Sequence, residues 1–534
     1  MKKVILFVLV GMLSACNFIN PPPVGQPPQI TLVKPRVAAP GDSVTITGSG
    51  FDTGATVNIG GQNAKTTSVT TTSILATMPT LAANDYLVTV TNPNQKSDTK
   101  PGPSVLGAST PTSGYIDGEV LVTLDPTIDE TKLKSFALQN GFVVKKFIPA
   151  QPGSVGACQK GYAVLQDTTK GRSTKDAINK LSEQSEVYDA DPHTSGLGDA
   201  YIDPGPQKDQ KTELDGILAE RAYSYMQAKN INLSSLRVAV LDTGVSTHPE
   251  FTDTFSFKAK NLEPGRNFTL EDNSSDSRVL ELDVSDMGFS HNGGTGGHGT
   301  GVAAIIAAID DNANGQAANI PTPMVGAAAG AMIVPVKVCT KDNKCLGLDV
   351  IAGLCYAINQ KVSVINMSFG GDTPSHSLKA VLETAASQGI SLVAAAGNDG
   401  DSAPAHYPAA YSSSVAGLLA VGSATPIRVA AGWTGSAFSI PGAWVNLVAP
   451  GQTVYTATVS YLSTVTYGYN NLEGTSFAAP WVSATAVMLK GLHPDWTNIQ
   501  IKDQIIKTAK PLSCSSVIKC GAGLLNIADA VAAP

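Results

Sequence analysis

The chain has 534 residues with 36 Lys and Arg against 43 Asp and Glu, a formal net charge of −7, and only 15% of its residues charged, where an average soluble domain carries about 25%. That length exceeds one ordinary domain and supplies ample material for a large core, so two to four domains are expected. No clustering of Lys and Arg is present, which excludes a nucleic-acid footprint. Polarity comes instead from Gly, Ser, Thr and Ala, in keeping with exported, loop-rich proteins.

The start, "MKKVILFVLVGMLSAC", has two lysines, a ten-residue apolar run from Val4 to Leu13 and then small residues. Ten residues cannot cross about 30 Å of hydrocarbon, so the segment reads as an export signal and not as a transmembrane helix. Its end, "LSAC", resembles a bacterial lipoprotein box. The resemblance implies that residues 1–16 form a lipoprotein signal with Cys16 lipidated, anchoring the precursor to a membrane. Residues 17–27, "NFINPPPVGQP", are a proline-rich stretch suited to a stiff tether.

From about residue 28 to 105, apolar and polar residues alternate between Gly, Asn and Pro punctuation, as in "SVTITGSGF", "ATVNIGG" and "DYLVTVTNP". Period-two runs at this spacing predict a small β-sandwich. "ITLVKPRVAAPGDSVTITGSGF" with "YLVTVTN" resembles the immunoglobulin-like TIG (IPT) domain, which implies a spacer or binding module without chemistry. Between residues 115 and 195 the order becomes strand, helix, strand, strand, helix, strand, a ferredoxin-like signature. Residues 196–215 form a Gly, Pro and charge-rich linker open to endopeptidases. From residue 216 to 534, apolar strands such as "RVAVLDTG", "MIVPVKV" and "SLVAAAGN" alternate with helical patterns. That alternation predicts an α/β, doubly wound, mostly parallel sheet, with active residues at the carboxyl ends of strands.

Four residues stand at such places. Asp242 ends "RVAVLD", where a carboxylate is costly to bury without a partner that holds its charge. His298 opens the helix pattern of "GGHGTGVAAIIAAI", Asn398 ends "SLVAAAGN", and Ser476 lies in "NLEGTSFAAPWVS" where a loop gives way to a helix. A hydroxyl at that junction sits by the positive end of the helix dipole, with its own N–H ready to stabilise a negative oxygen. Taken singly, each has an ordinary structural explanation: a turn aspartate, a packed histidine, a turn asparagine, a helix cap.

Together, "VLDTGV", "GHGTGVAA", "AAAGN" and "GTSFAAPWVS" resemble the subtilisin-like serine peptidases (subtilases) from residue 216 to the C-terminus. The resemblance implies a serine endopeptidase acting on protein and peptide substrates, as a monomer and with no cofactor needed for the chemistry. Ser476 would be the nucleophile, His298 the general base and acid, and Asp242 the group that orients the imidazole. Asn398 with the Ser476 N–H would hold the oxyanion. Ser368, Phe369 and Gly370 of "NMSFGG", with Ala396 and Gly397, would flank an extended substrate, and His406 would fall near the pocket floor. The Gly and Ala walls suggest a roomy apolar pocket and broad specificity. The βαββαβ unit resembles the family's propeptide, an intramolecular inhibitor, so the protein would be a zymogen matured in the linker. Maturation there would release the catalytic domain from the membrane.

Two departures are visible. The interval from Asp242 to His298 is longer than in compact members and carries the acidic stretch "LEDNSSDSRVLELDVSD", which reads as a surface insertion. "IDDNANGQ", Ile309 to Gln316, resembles a calcium-loop region and implies a structural calcium ion. Of the cysteines, Cys339 with Cys345 and Cys514 with Cys520 each close a short loop-like segment and are the expected disulfides, whereas Cys355, in "VIAGLCYAI", reads as a buried thiol. Two rival readings remain at this point. Asp-Thr-Gly occurs at Asp52 and Asp242, as in an aspartic peptidase, and an inactive surface adhesin could reuse a subtilase fold.

Overall fold

The computed structural model describes residues 27–107, 114–151, 153–198, 210–251, 261–269, 297–309, 324–340, 342–401, 403–427, 432–460, 466–512, 514 and 519–532. The chain divides into two compact units, one ending near Pro103 and the other running from Ser104 onward.

The first unit is all-β. Its strands are β1 (Gln29–Lys34), β2 (Ser43–Ser49), β3 (Thr56–Ile59), β4 (Gln62–Val69), β5 (Ser73–Thr77), β6 (Asn84–Thr91) and β7 (Ser97–Val105), paired in the order β1-β2-β5-β4-β3-β6-β7. The alternation seen in the sequence becomes alternation of burial: Val44 and Ile46 point inward from β2, Val88 and Val90 from β6, and their neighbours face out. The expected immunoglobulin-like module is present.

The second unit begins with β8 (Gly114–Leu124), the helix Glu130–Asn140, β9 (Phe142–Ile148), β10 (Gly161–Asp167), the helix Thr174–Leu181 and β11 (Val187–Gly198). Local chemistry sets the helices. The Asp129 carboxylate caps the first by accepting from Lys132 N, Gly141 ends it in the left-handed region, and Ser173 caps the second. The strands pair in the order β11-β8-β10-β9, the ferredoxin-like arrangement expected. One boundary differs. β11 runs on to Gly198, into the stretch read as linker, because its end gains antiparallel partners in β15 (Lys344–Leu346) and β17 (Phe369–Gly370).

The larger sheet is built on β12 (Arg237–Asp242), β13 (Arg266–Asn267), β14 (Met332–Lys337), β16 (Val364–Met367), β18 (Ser391–Ala395), β19 (Leu418–Pro426), β20 (Trp433–Gly435) and β21 (Leu447–Pro450). Its order is β13-β14-β12-β16-β18-β19-β20, with β21 also on β19; all of its pairings are parallel except β19 with β20. Helices cover both faces, so these strands read as unbroken apolar runs and are buried along nearly their whole length. The helix Thr475–Leu492 crosses one face with every residue from Thr475 to Leu489 buried. A hairpin of β22 (Val454–Ser460) and β23 (Thr466–Leu472) completes the unit.

The expected disulfides Cys339–Cys345 and Cys514–Cys520 are formed. Cys355 is not a thiol: it is bonded to Cys158, 197 residues away in sequence. The short 3₁₀ turn Gly156–Gln159 lies against the apolar layer of the helix Gly347–Asn359, so Cys158, Tyr162 and Val164 share one core with Leu354, Ile358 and Cys355. A pairing at that separation carries no local signal.

Candidate active site

Asp242 ends β12 and is 1% exposed. Its Oδ1 accepts from Thr243 N at 2.8 Å and from Thr243 Oγ1 at 3.2 Å, and pairs with His298 Nδ1 at 2.7 Å. Burial is tolerable because the charge meets directed donors. His298 is the first residue of the helix His298–Ala307. The next residue must be glycine: a Cβ on Gly299 would stand 2.2 Å from Gly244 O and 2.9 Å from Asp242 Cβ. The "GHG" spelling is thus a condition for bringing helix and strand end together. With Nδ1 engaged by the carboxylate, Nε2 is the ring atom able to take a proton.

Ser476 is fully buried in the first turn of the helix Thr475–Leu492. The adjacent Phe477 ring lies 5.3 Å, centroid to centroid, from the His298 ring, so the helix that carries Ser476 packs directly on the imidazole. Ser476 Oγ donates to Ser368 O at 3.1 Å, and Ser368 Oγ donates to Ser476 O at 2.8 Å. Pro480 explains the second bond. It has no N–H to give the carbonyl four residues earlier, which is that of Ser476, and Ser368 takes its place. Ser368 is in turn held by Asn366 Nδ2 at 2.9 Å, and Asn366 Oδ1 accepts from Ser483 Oγ at 2.8 Å. Ser368, expected among the substrate-flanking residues, is thus bonded to Ser476 in both directions.

Asn398 lies just past β18, and its side chain has a fixed sense. Oδ1 accepts from Thr475 N at 2.9 Å and Thr475 Oγ1 at 3.1 Å, which turns Nδ2 the other way; Nδ2 is buried with no hydrogen-bond partner among the described residues. A buried unpaired donor is costly and calls for an explanation. Gly474, with φ of +149°, supplies one: the point where its Cβ would stand is 3.1 Å from Asn398 Nδ2 and 3.7 Å from Ser476 N. Both nitrogens thus border space that only glycine leaves open. Thr475 also receives Gly397 N at 2.9 Å, so one side chain positions both the asparagine and its neighbour. Sequence reasoning passed over Thr475, although it stands between Gly474 and Ser476 in the motif.

Phe369 and Gly370 form β17, paired with the end of β11 through Gly198↔Phe369 and Leu197↔Gly370. On its other edge β11 pairs with β15, Gly196 opposite Cys345. Ala396 and Gly397 are buried beside Asn398. Cys16, all of the tether but Pro27, the greater part of the linker, the acidic stretch before His298 and all but Ile309 of the expected calcium loop lie outside the described residues. Among the described residues no group of three or more His, Cys, Asp or Glu is disposed to hold a metal. Asp52 and Asp242 belong to different compact units, so the Asp-Thr-Gly pair gives no carboxylate dyad within one core.

A parallel sheet with an Asp–His pair at one strand end, a serine in a helix's first turn and a facing asparagine defines a serine hydrolase of the subtilisin type. A family model described as the subtilase family matches residues 234–523, and an IPT/TIG model matches residues 28–103. The chain belongs to the subtilase family and carries a TIG domain. It is 32% identical over 293 residues to subtilisin BL of Lederbergia lenta, covering 55% of this chain and 89% of that one. To subtilisin of Bacillus pumilus it is 33% identical over 298 residues, covering 55% and 90%. Among solved structures, fervidolysin from Fervidobacterium pennivorans, a keratinolytic enzyme related to subtilisin, shares the fold with a TM-score of 0.58 at 21% identity, over 80% of this chain and 63% of that one. The protein is accordingly a subtilisin-like serine protease.

Proposed function

We propose that Ser476, His298 and Asp242 are the catalytic triad of an exported endopeptidase made as an inhibited precursor, with Asn398 and the Ser476 N–H as the oxyanion donors. The observation that carries this is the 2.7 Å Asp242–His298 bond together with the converging Asn398 and Ser476 donors. Ser476 Oγ attacks the peptide carbonyl while its proton passes to His298 Nε2. That proton then goes to the leaving amine, and water later frees the acyl group by the same route. Asp242 holds the imidazole in the tautomer with Nε2 unprotonated and steadies the imidazolium. No metal or cofactor takes part in these steps.

Inhibition by the βαββαβ domain is supported by how it docks. The end of β11 sits as a strand between β15 and β17, the place an extended substrate would occupy. Asp191 places its carboxylate at the start of the helix His376–Ser387, accepting from Ser377 N at 2.7 Å and Ser375 Oγ at 3.1 Å. Lys146 reaches across to Asp349 at 2.5 Å and Phe268 O at 2.7 Å. Burial pushes the Asp349 carboxyl up and Lys146 partly offsets this. The Cys158–Cys355 bridge adds a covalent tie. A cut in the linker would leave the two parts joined, so release from a lipid anchor at Cys16 requires that bridge to open as well.

The test is hydrolysis of casein and labelling by a fluorophosphonate. Wild type should do both; Ser476→Ala should do neither, with turnover down by roughly a millionfold, the loss that subtilisin itself shows for its serine, and should remain full length. Equal casein hydrolysis by the two proteins would overturn the assignment.

A further inference from the structure

The strand β15 is three residues long and, among the described residues, has one strand neighbour, the end of β11. Ser195 stands opposite Leu346, Gly196 opposite Cys345 and Leu197 opposite Lys344. β11 belongs to the domain proposed above as the inhibitor, so once that domain leaves, β15 is an edge whose ladder partner has gone. Three extended residues do not keep one shape by themselves, because fixing each costs backbone entropy.

The tie that remains is covalent. Cys345, the middle residue of β15, is bonded to Cys339, and the two also form an antiparallel bridge. Between them the chain reverses tightly: Thr340 N donates to Lys344 O and Asn343 N to Thr340 O, each at 2.9 Å, with Asn343 at φ +63°. Both cysteines are buried. The other arm of this turn is rooted beside the chemistry, since Asp242 O accepts from Val338 N at 2.9 Å and from Cys339 N at 3.1 Å. The disulfide therefore ties β15 to the backbone of Asp242, whose side chain meets His298. At its far end β15 runs directly into the helix Gly347–Asn359.

We infer that the Cys339–Cys345 disulfide is a positioning element for substrate: it keeps β15 extended and fixed relative to Asp242, so that a peptide meets that edge of the cleft already formed. The inference rests on the reading above that an extended substrate lies where the end of β11 lies. A bridge across so short a segment removes its alternative shapes, and a preordered edge binds without the cost of ordering. Without the bridge each substrate has to draw β15 into place; an edge in its binding shape one tenth of the time binds about tenfold more weakly. The loss falls on substrate residues that lie along β15. Those along β17, where Leu197 faces Gly370 and Gly198 faces Phe369, are spared.

The experiment uses the full chain carrying Cys158→Ser and Cys355→Ser, with its linker cut and the freed domain removed. Two peptide 4-nitroanilides are compared. Thr-Ser-Gly-Leu-Gly-X copies Thr194–Gly198 and spans both edges, whereas Leu-Gly-X reaches β17 and only the end of β15; X is Ala, Leu or Phe. Fluorophosphonate labelling reports a folded site in each protein. In this parent the long peptide should exceed the short one by at least about tenfold in kcat/KM, and adding Cys339→Ala with Cys345→Ala should reduce that ratio about tenfold. The reduction should come through KM, as loss of uniform binding does. A parent that labels and cuts casein yet gains nothing from the longer peptide overturns the inference alone. So does a labelling double-alanine variant that keeps the parent's ratio, or one that loses kcat instead. If that variant does not label, Cys339→Val with Cys345→Ala, which refills part of the buried volume, is measured in the same way. If neither labels while the parent does, the bridge serves folding and the inference falls. A parent that neither labels nor cuts casein overturns the peptidase reading and this one with it.

Discussion

Ser368 and Ser476 hold each other: the Ser476 carbonyl accepts the Ser368 hydroxyl at 2.8 Å while the Ser476 hydroxyl donates to the Ser368 carbonyl at 3.1 Å. The first bond substitutes for the helical one that Pro480 cannot make. Ser368→Ala should leave a buried carbonyl unsatisfied, at a cost of about 1–3 kcal/mol. Thermal unfolding should move down accordingly and kcat should fall more than KM rises. An unchanged melting temperature with unchanged kcat would refute the brace.

In the proposed mechanism, Asn398→Ala removes a donor that matters only as charge develops. A loss of about 10²–10³ in kcat with little change in KM is expected, the magnitude found for the corresponding donor in subtilisin. Thr475→Val should show a smaller loss of the same kind, since it removes the hydroxyl bond and leaves only the Thr475 N–H to orient the Asn398 amide, and Thr475→Ser should restore most of it. Steady-state kinetics on one peptide substrate measures all three. A Thr475→Val enzyme impaired only in KM would argue against this positioning.

His248 carries an acid sensitivity. Burial holds its pKa down to about 4, with the hydrogen bond to Gly468 O acting the other way. Its Nε2 pairs with Gly468 O at 3.1 Å, and its Nδ1 accepts from Glu250 N at 3.2 Å, an arrangement that only the neutral ring satisfies. The unfolded chain, with an ordinary His value near 6.5, takes up the proton first as pH falls. The stability that neutral His248 contributes is therefore complete above about 6.5 and lost progressively towards 4, on the order of 3 kcal/mol in all. Melting temperatures at pH 7.5 and 5 should differ less in His248→Gln than in wild type. Parallel losses in the two proteins would locate the acid sensitivity elsewhere.

Trypsin should cut the linker at Lys208 without separating the parts. On a non-reducing gel the nicked protein should run as one species, and with reductant as two. Cys158→Ser combined with Cys355→Ser should give two species in either lane. Two species from nicked wild type without reductant would show that the bridge does not hold.

Much of this could be read from local sequence. The strands of the parallel sheet were legible because burial on both faces demands unbroken apolar runs, and those of the β-sandwich because burial on one face demands alternation. Asp242, His298, Asn398 and Ser476 could be singled out because each stands at a strand end or helix start beside small residues. Cys339–Cys345 and Cys514–Cys520 were legible because each closes a short segment.

What the chain determined by itself was thus its elements and the residue types at their ends, since both follow from interactions a few residues apart. Only the tertiary structure decided which distant groups meet. It joined Cys158 to Cys355, extended β11 by giving it partners in β15 and β17, bonded the Ser368 hydroxyl to the Ser476 carbonyl, and set His406 between Gly370 and Gly397. Each of these depends on packing between segments far apart in sequence, where neither periodicity nor spacing carries a signal.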